Sequence, residues 1–84
     1  MNNAATTEHD MPTAYELRAA RDAMERKMAD AAGRALHFTA DQCDAYYLAL
    51  IGLPATGPNG EAIDMHGVGM AAAREHGYTG PDHP

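Results

Sequence analysis

The chain has 84 residues, a formal net charge of −6 and a single cysteine. This length allows one domain at most. A chain this small buries only a modest fraction of its surface when it folds, and we therefore expect a partner chain to bury more of that surface. The lone cysteine excludes an internal disulfide. No apolar run is long enough for a secretory signal or a membrane span, and we therefore predict a cytoplasmic protein that does not enter a membrane.

The basic residues are concentrated in the first predicted helix, where acids are interleaved with them. Five of the six lie there: Arg18, Arg21, Arg26, Lys27 and Arg34. Binding to DNA or RNA by counterion release needs clustered positive charge, so this pattern predicts no direct contact with nucleic acid. The rest of the chain is acidic and suits a basic protein partner.

A long amphipathic helix is predicted from Thr13 to Leu36. Thr13 and Glu16 form a capping box at its start, in which each side chain pairs with the other's backbone amide. The apolar positions recur at three- and four-residue steps and predict one buried face: Leu17, Ala20, Met24, Met28, Ala31 and Ala35. The opposite face, with alternating charges, is expected in solvent: Arg18, Asp22, Arg26, Asp30 and Arg34.

A second capping box, Thr39 with Gln42, opens a helix predicted to run to about Ile51. Its predicted inward stripe consists of Cys43, Tyr46, Tyr47, Leu50 and Leu53. Leu48 and Ile51 are predicted to widen this stripe. The turn between the helices is short, so they should pack as an antiparallel helical hairpin. Tyr46 and Tyr47 point about 100° apart, so burying both needs two surfaces: the first helix, and either the C-terminal segment or a second copy.

The remaining chain predicts a loop, a weaker helix and two tails. Proline and glycine punctuate residues 53–60, with a turn at Asn59-Gly60. A third helix is predicted from about residue 64 to 76, with a thin apolar face and two destabilising glycines, Gly67 and Gly69. The fold class is thus all-α, with a flexible arm at residues 1–12, one domain at 13–77 and a tail at 78–84.

No motif predicts catalysis or a bound cofactor. Gly67-Val68-Gly69 with Ala72 matches a dinucleotide fingerprint, but no strand precedes it, so close helix packing is the better interpretation. His66 and His76 lie ten residues apart, which does not align two ligands on a helix, although a small metal-binding regulator stays an alternative. The predictions are no enzyme, no cofactor and no specific metal site.

One family resemblance covers residues 16–50. It is carried by Glu16-Leu17, Ala19-Ala20-Arg21, Ala23, Met28, Gly33-Arg34, Phe38-Thr39-Ala40, Asp44 and Tyr46. This pattern resembles the small head–tail joining protein W of lambda-type phages, which implies a role in virion assembly. That family has a β-hairpin between its two helices, and this chain is too short there to hold a full one.

The leading functional hypothesis is a small acidic protein-interaction module, of the kind that phages and mobile elements use as accessory or inhibitor proteins. Aromatic side chains supply much of the binding energy at interfaces, which makes Tyr15, Tyr46, Tyr47 and Tyr78 candidate contacts. An acidic set is expected to steer a basic, nucleic-acid-binding protein partner: Asp41, Asp44, Glu61 and Asp64. We also expect a homodimer, because Ala45–Ile51 is uncharged and needs cover.

Overall fold

Three helices form the part of the chain that the computed structural model describes, residues 12–54 and 56–84. They are α1 (Ala14–Leu36), α2 (Ala40–Ile51) and α3 (Met65–Glu75), which confirms the all-α prediction. Most of the predicted N-terminal arm, residues 1–11, lies outside the described residues.

Both predicted capping boxes are present and set where α1 and α2 begin. The Glu16 amide donates to Thr13 Oγ1 at 3.1 Å, and the Thr13 amide donates to Glu16 Oε1 at 2.8 Å. Thr39 and Gln42 repeat the arrangement on α2. These reciprocal bonds satisfy amides that a helix N-terminus would otherwise leave without partners, which explains why the local sequence fixes both starts.

The α1–α2 connection is a tight turn of three residues. His37 adopts a left-handed conformation with φ 59° and ψ 47° at the end of α1, and the Phe38 amide donates to the Gly33 carbonyl at 3.0 Å. Leu36 is buried and Phe38 packs against the core, so the turn closes one end of the structure.

The contacts between α1 and α2 run in opposite directions along the two helices. Tyr47 donates a hydrogen bond to Asp22 near the end of α2, and Cys43 Sγ donates to the Ala29 carbonyl at 3.4 Å nearer its start. Gly33 lies one turn further along α1, and a Cβ on it would stand 3.1 Å from the Cys43 sulfur. The two helices therefore form the predicted antiparallel hairpin.

The buried face of α1 is not the predicted one. Its buried residues are Glu25, Ala29 and Leu36, with Arg21, Asp22, Met28, Ala32 and Gly33 partly buried beside them. Most of the predicted stripe is exposed: Leu17, Ala20, Met24, Ala31 and Ala35. The helix is rotated because α2 presents a tyrosine hydroxyl to it, and the following loop presents a backbone carbonyl. Polar side chains of α1 pair with both.

Polar contacts therefore hold α1 against the end of α2. Arg21 pairs with the buried Glu25 at 3.1 Å and also donates to the Leu53 carbonyl. Arg26 stacks on the Tyr47 ring, 4.4 Å from its centroid. A buried carboxylate is costly unless it is paired, and Arg21 supplies that pairing while also fixing the chain that leaves α2.

The core lies mainly between α2 and α3. Tyr46 and Leu50 are the largest fully buried side chains, and Met70 and Ala73 of α3 pack against them. Gly69 lies directly against the Tyr46 ring, which confirms close packing as the role of that glycine. The second surface that covers α2 is thus the C-terminal helix of the same chain.

Leu48 and Ile51, which are predicted to widen the inward stripe of α2, are both exposed. Each lies on the side of α2 that faces away from the core, because α1 covers the Tyr47 side and α3 covers the Tyr46 side. The predicted interior of α2 was therefore too wide, and its outer face keeps apolar side chains.

The segment from Tyr78 onward is corrected from a tail to part of the fold. Tyr78 is only 8% exposed and packs edge-on against Phe38, with ring centroids 4.9 Å apart. Its hydroxyl donates to the Pro81 carbonyl at 2.7 Å, and Arg74 of α3 forms an ion pair with Asp82. Because the Tyr78 ring packs in the core, the residues that follow it lie against the domain.

The α2–α3 loop contains the predicted turn at Asn59-Gly60. The Gly57 amide donates to the Glu61 carbonyl at 2.8 Å, and Thr56 and Ala62 form an isolated antiparallel bridge. Gly60 has φ 80°, a left-handed conformation that glycine adopts without a steric penalty.

Candidate functional site

The four tyrosines predicted to contact a partner differ in how much of each side chain is exposed. Tyr15 is 77% exposed near the start of α1, whereas Tyr46 is 1% exposed and Tyr78 is buried. Tyr47 is half-buried against α1. Of the four, only Tyr15 has most of its side chain exposed, so the interpretation of Tyr46 and Tyr78 as contact residues is corrected: both belong to the core.

Tyr46 organises a hydrogen-bonded chain rather than a binding surface. Its hydroxyl lies 2.7 Å from His66 Nδ1, and His66 Nε2 lies 2.8 Å from the Asp82 carbonyl. The carbonyl can only accept, so His66 donates from Nε2, and in the neutral ring Nδ1 then accepts a hydrogen bond from the Tyr46 hydroxyl. Burial, with a smaller contribution from the Asp64 charge, raises the pKa of Tyr46 and keeps its hydroxyl protonated.

Tyr47 joins α2 to α1 through a polar contact. Its hydroxyl donates to Asp22, which lowers the pKa of the Asp22 carboxyl, and Arg26 lowers it further. The same hydrogen bond raises the pKa of Tyr47. Tyr47 therefore positions the hairpin, and little of its ring is free to bind another chain.

The acidic set divides into two pairs. Asp64 caps α3, where its Oδ1 accepts from the Gly67 amide at 3.0 Å, and Glu61 accepts from the Asn59 amide at 2.9 Å. These two carboxylates hold the loop together. Asp41 and Asp44 instead lie on the outer side of α2, where their side chains are exposed.

A shallow groove of about 540 Å³ lies between α2 and α3. It is lined by Asp41, Asp44, Ala45, Leu48, Ala49, Ala72 and His76. Leu48 is 62% exposed here, and its aliphatic side chain is the largest apolar group in the groove. The carboxylates of Asp41 and Asp44 stand at the end nearer the start of α2. The groove thus combines an apolar floor with an acidic rim.

A second open cleft, of about 430 Å³, forms where α1 extends past the end of α2. It is bordered by Tyr15, Arg18, Ala19, Arg21, Asp22, Glu25 and Ile51. The carboxylates of Asp22 and Glu25 are already paired inside the hairpin, so the aromatic ring of Tyr15 and the exposed Ile51 are its main contact groups.

Sequence reasoning missed Leu48 and Ile51 as surface residues because it assigned every large apolar side chain of α2 to the interior. A usable signal was present in the spacing. Asp41, Asp44, Leu48 and Ile51 recur at three- and four-residue steps and so share one face, and the two aspartates are more easily placed in solvent than in a core.

The described residues bring no metal-ligand set together. Within residues 12–54 and 56–84, no three His, Cys, Asp or Glu side chains converge into a group able to hold a metal ion. His66 and His76 make separate backbone contacts, to Asp82 and Ala72. Burial, followed by the charges of Asp30 and Asp44, raises the pKa of the Cys43 thiol, the opposite of what activates a nucleophile.

Comparisons of this chain with protein-family models, curated proteins and solved structures found no match. The resemblance of residues 16–50 to the head–tail joining protein W family therefore stays a prediction. Where that family has a hairpin, residues 37–39 make a direct turn from α1 to α2. In the described part of the chain, none of the helices has the length and apolar character that crossing a membrane requires.

Proposed function

We propose that this chain is a small acidic interaction protein without enzymatic activity, and that its α2–α3 groove binds a larger protein. The observation that carries the proposal is Leu48, a leucine 62% exposed in an apolar groove whose end is rimmed by Asp41 and Asp44. Acting as an accessory or inhibitor of its partner, of the phage or mobile-element type, is the role that suits a module of this size.

The chemistry of the groove defines the partner. Apolar area supplies the binding energy, and a carboxylate rim speeds association with a positively charged surface and disfavours acidic ones. A short helix with apolar residues along one face and Lys or Arg beside them meets both requirements. Surfaces of that kind are common in nucleic-acid-binding proteins, so such a protein is our preferred partner class.

The test uses the purified chain as bait in a lysate of its native host, with bound proteins quantified by mass spectrometry. Leu48→Glu should abolish capture of the specific partner. Ala71→Glu is the matched control, because Ala71 is exposed on α3 and lies outside the groove. A partner captured equally by the two variants would contradict the assignment of the groove.

The acidic rim is tested with the captured partner by a second pair of variants. Asp41→Asn with Asp44→Asn should slow association and weaken its dependence on salt, because steering by exposed charge is screened by ions. Glu61→Gln is the control, since Glu61 lies in the loop away from the groove. If the association rates of the unmodified chain, the double variant and Glu61→Gln depended equally on salt, the acidic rim would have no part in binding.

We also propose that the chain self-associates as a homodimer, and a structural role in virion assembly is the second candidate. The observation that favours both is a second exposed apolar surface, the stripe along α1, in addition to the groove. A closed dimer uses one such surface, whereas a ring or tail component uses two different ones. Light scattering at rising concentration separates a constant dimer from growing assemblies.

A further inference from the structure

One face of α1 carries a continuous stripe of apolar side chains, most of them exposed. They comprise Leu17, Ala20, Met24, Met28, Ala31 and Ala35, separated by three, four, four, three and four residues. Leu17 is 58% exposed and Met24 46% exposed, the alanines are exposed, and Met28 is partly buried. The hairpin packs on the face that carries Glu25 and Ala29, so most of this stripe is left uncovered. Met28 lies at its edge and packs partly against the core, and Met24 borders a cleft beside Met65 of α3.

The spacing makes this α1 stripe almost straight. The steps repeat after eleven residues, and an 11-residue repeat corresponds to about 3.67 residues per turn, close to the 3.6 of an α-helix. Its ends, Leu17 and Ala35, lie about 27 Å apart along the helix axis at 1.5 Å per residue. Two such helices can therefore stay in contact over about five turns with little supercoiling.

We infer that the α1 stripe binds the same stripe of a second copy of this chain, with the two α1 helices antiparallel. This inference rests on the proposed self-association and specifies the surface that carries it. The twofold axis passes between Met24 and Met28, so each large end residue meets a small one. Leu17 faces Ala35 of the second copy, and Met24 faces Met28 of the second copy.

Side-chain size favours this direction. In the antiparallel pair, each end layer sets the large Leu17 against the small Ala35, while Met24 and Met28 pack together at the centre and the alanines allow the backbones to approach closely. In a parallel pair, Leu17 would meet Leu17 at one end, and Ala35 would meet Ala35 at the other. That arrangement leaves the helices too far apart at one end or poorly packed at the other.

Charge at the two ends of the stripe favours the same direction, although the twofold axis also places the exposed Lys27 of each copy beside that of the other. Glu16 and Arg34 are both exposed, and their separation of eighteen positions corresponds to five full turns, which places them along one edge of the stripe. In the antiparallel pair, Glu16 lies beside Arg34 of the second copy, and the twofold axis repeats the pair at the other end. In a parallel pair, these opposite charges lie at opposite ends of the interface.

The dimer leaves the proposed binding groove accessible. Leu48 lies on the outer face of α2, and the α1 stripe lies on a different helix, so the two surfaces are separate parts of the molecule. One dimer would thus offer two grooves. Loss of dimerisation and loss of partner binding can therefore be measured independently, with Met24→Glu and Leu48→Glu.

The first test is sedimentation equilibrium of the full chain from micromolar to millimolar concentration, compared with Met24→Glu and with the control Ala71→Glu. We expect the dissociation constant to rise by at least about tenfold in Met24→Glu, because each dimer would bury two unpaired carboxylates. Ala71→Glu should match the unmodified chain. Circular dichroism should show all three folded, since both substituted residues are exposed.

The direction is tested by disulfide trapping in a Cys43→Ala background, with diamide as the oxidant. Glu16→Cys and Arg34→Cys are made in separate chains that carry different tags and are then mixed. The mixed disulfide should exceed both self-disulfides several-fold. Dominant self-disulfides would show a parallel pair and overturn the inference.

The remaining outcomes separate this inference from the proposed function. A dimer unaffected by Met24→Glu would overturn the α1 stripe as the interface and leave self-association standing. A monomer at every concentration would overturn both this inference and the proposed self-association. Failure of Leu48→Glu to affect partner capture would bear on the groove alone.

Discussion

Replacing Gly69 by alanine should destabilise the protein, although alanine is the better helix former. Gly69 lies inside α3 and faces the Tyr46 ring. A Cβ built on it would stand 2.5, 2.6 and 2.7 Å from three Tyr46 ring atoms. Ordinary carbon contacts are about 3.5–4.0 Å, so the ring or the helix would have to move by about 1 Å.

The neighbours of Tyr46 oppose such a movement. The ring is 1% exposed, its hydroxyl is bonded to His66, and Phe38 lies 5.9 Å away between ring centroids. Overpacking a tight core costs about 1–3 kcal/mol, and this site belongs at the upper end. Alanine is about 1 kcal/mol more favourable than glycine inside a helix, so the free energy of unfolding should fall by about 2 kcal/mol in total. For a domain of this size that lowers the Tm by about 10 °C.

The assay is urea unfolding followed by far-UV circular dichroism, with Gly52→Ala as the matched control. Gly52 has φ −93° and open space around the position of a Cβ, so that variant should gain about 0.4–1 kcal/mol. Combining Gly69→Ala with Tyr46→Leu should cost less than the sum of the single changes, because the shorter side chain removes the clash. A Gly69→Ala protein as stable as the Gly52→Ala control would refute the close approach of α3 to Tyr46.

Three further predictions concern polar contacts. Tyr47→Phe removes the hydrogen bond that lowers the pKa of Asp22. That bond stabilises the fold at pH values above the ordinary carboxyl pKa, and its contribution is lost as the pH falls through the lowered pKa of Asp22. The stability of the variant should therefore depend less steeply on pH in an acid unfolding titration. Tyr78→Phe should cost about 1 kcal/mol and speed amide exchange in the C-terminal residues, measured by hydrogen exchange, because the bond to Pro81 is lost. Cys43 should react with a thiol reagent more slowly than free cysteine at the same pH, because burial raises its pKa; equal rates would contradict this placement.

The limits of the helices could be predicted because their signals are local. Each capping box lies within four consecutive residues, and Thr13 and Thr39 perform the expected role with the expected partners. The antiparallel hairpin also follows from the sequence, since three residues between two helices allow few other arrangements. The angle of about 100° between Tyr46 and Tyr47 correctly indicated that two surfaces cover α2.

The face of α1 that packs inward could not be predicted from α1 alone. An apolar stripe is usually the buried one, but here the inward face is fixed by groups elsewhere in the chain: the Tyr47 hydroxyl and the Leu53 carbonyl. Tyr78 was missed for a related reason. Burial of one aromatic ring depends on the space beside Phe38, and no periodic pattern near the C-terminus signals that space.

The rotation of α1 decides where binding should be sought. Had its apolar stripe formed the core, the outward face would be the alternating charges, which indicate only solvation. Instead, polar residues pair within the hairpin, and the stripe that carries Leu17 and Met24 is left outside. Contiguous exposed apolar area favours association, and on this chain it occurs on two separate helices, one with an acidic rim and one without. Because only the α2–α3 groove has an acidic rim, we expect the two surfaces to bind different partners. The groove at Leu48 suits a basic protein, and the nearly straight α1 stripe suits the same stripe of a second copy of this chain.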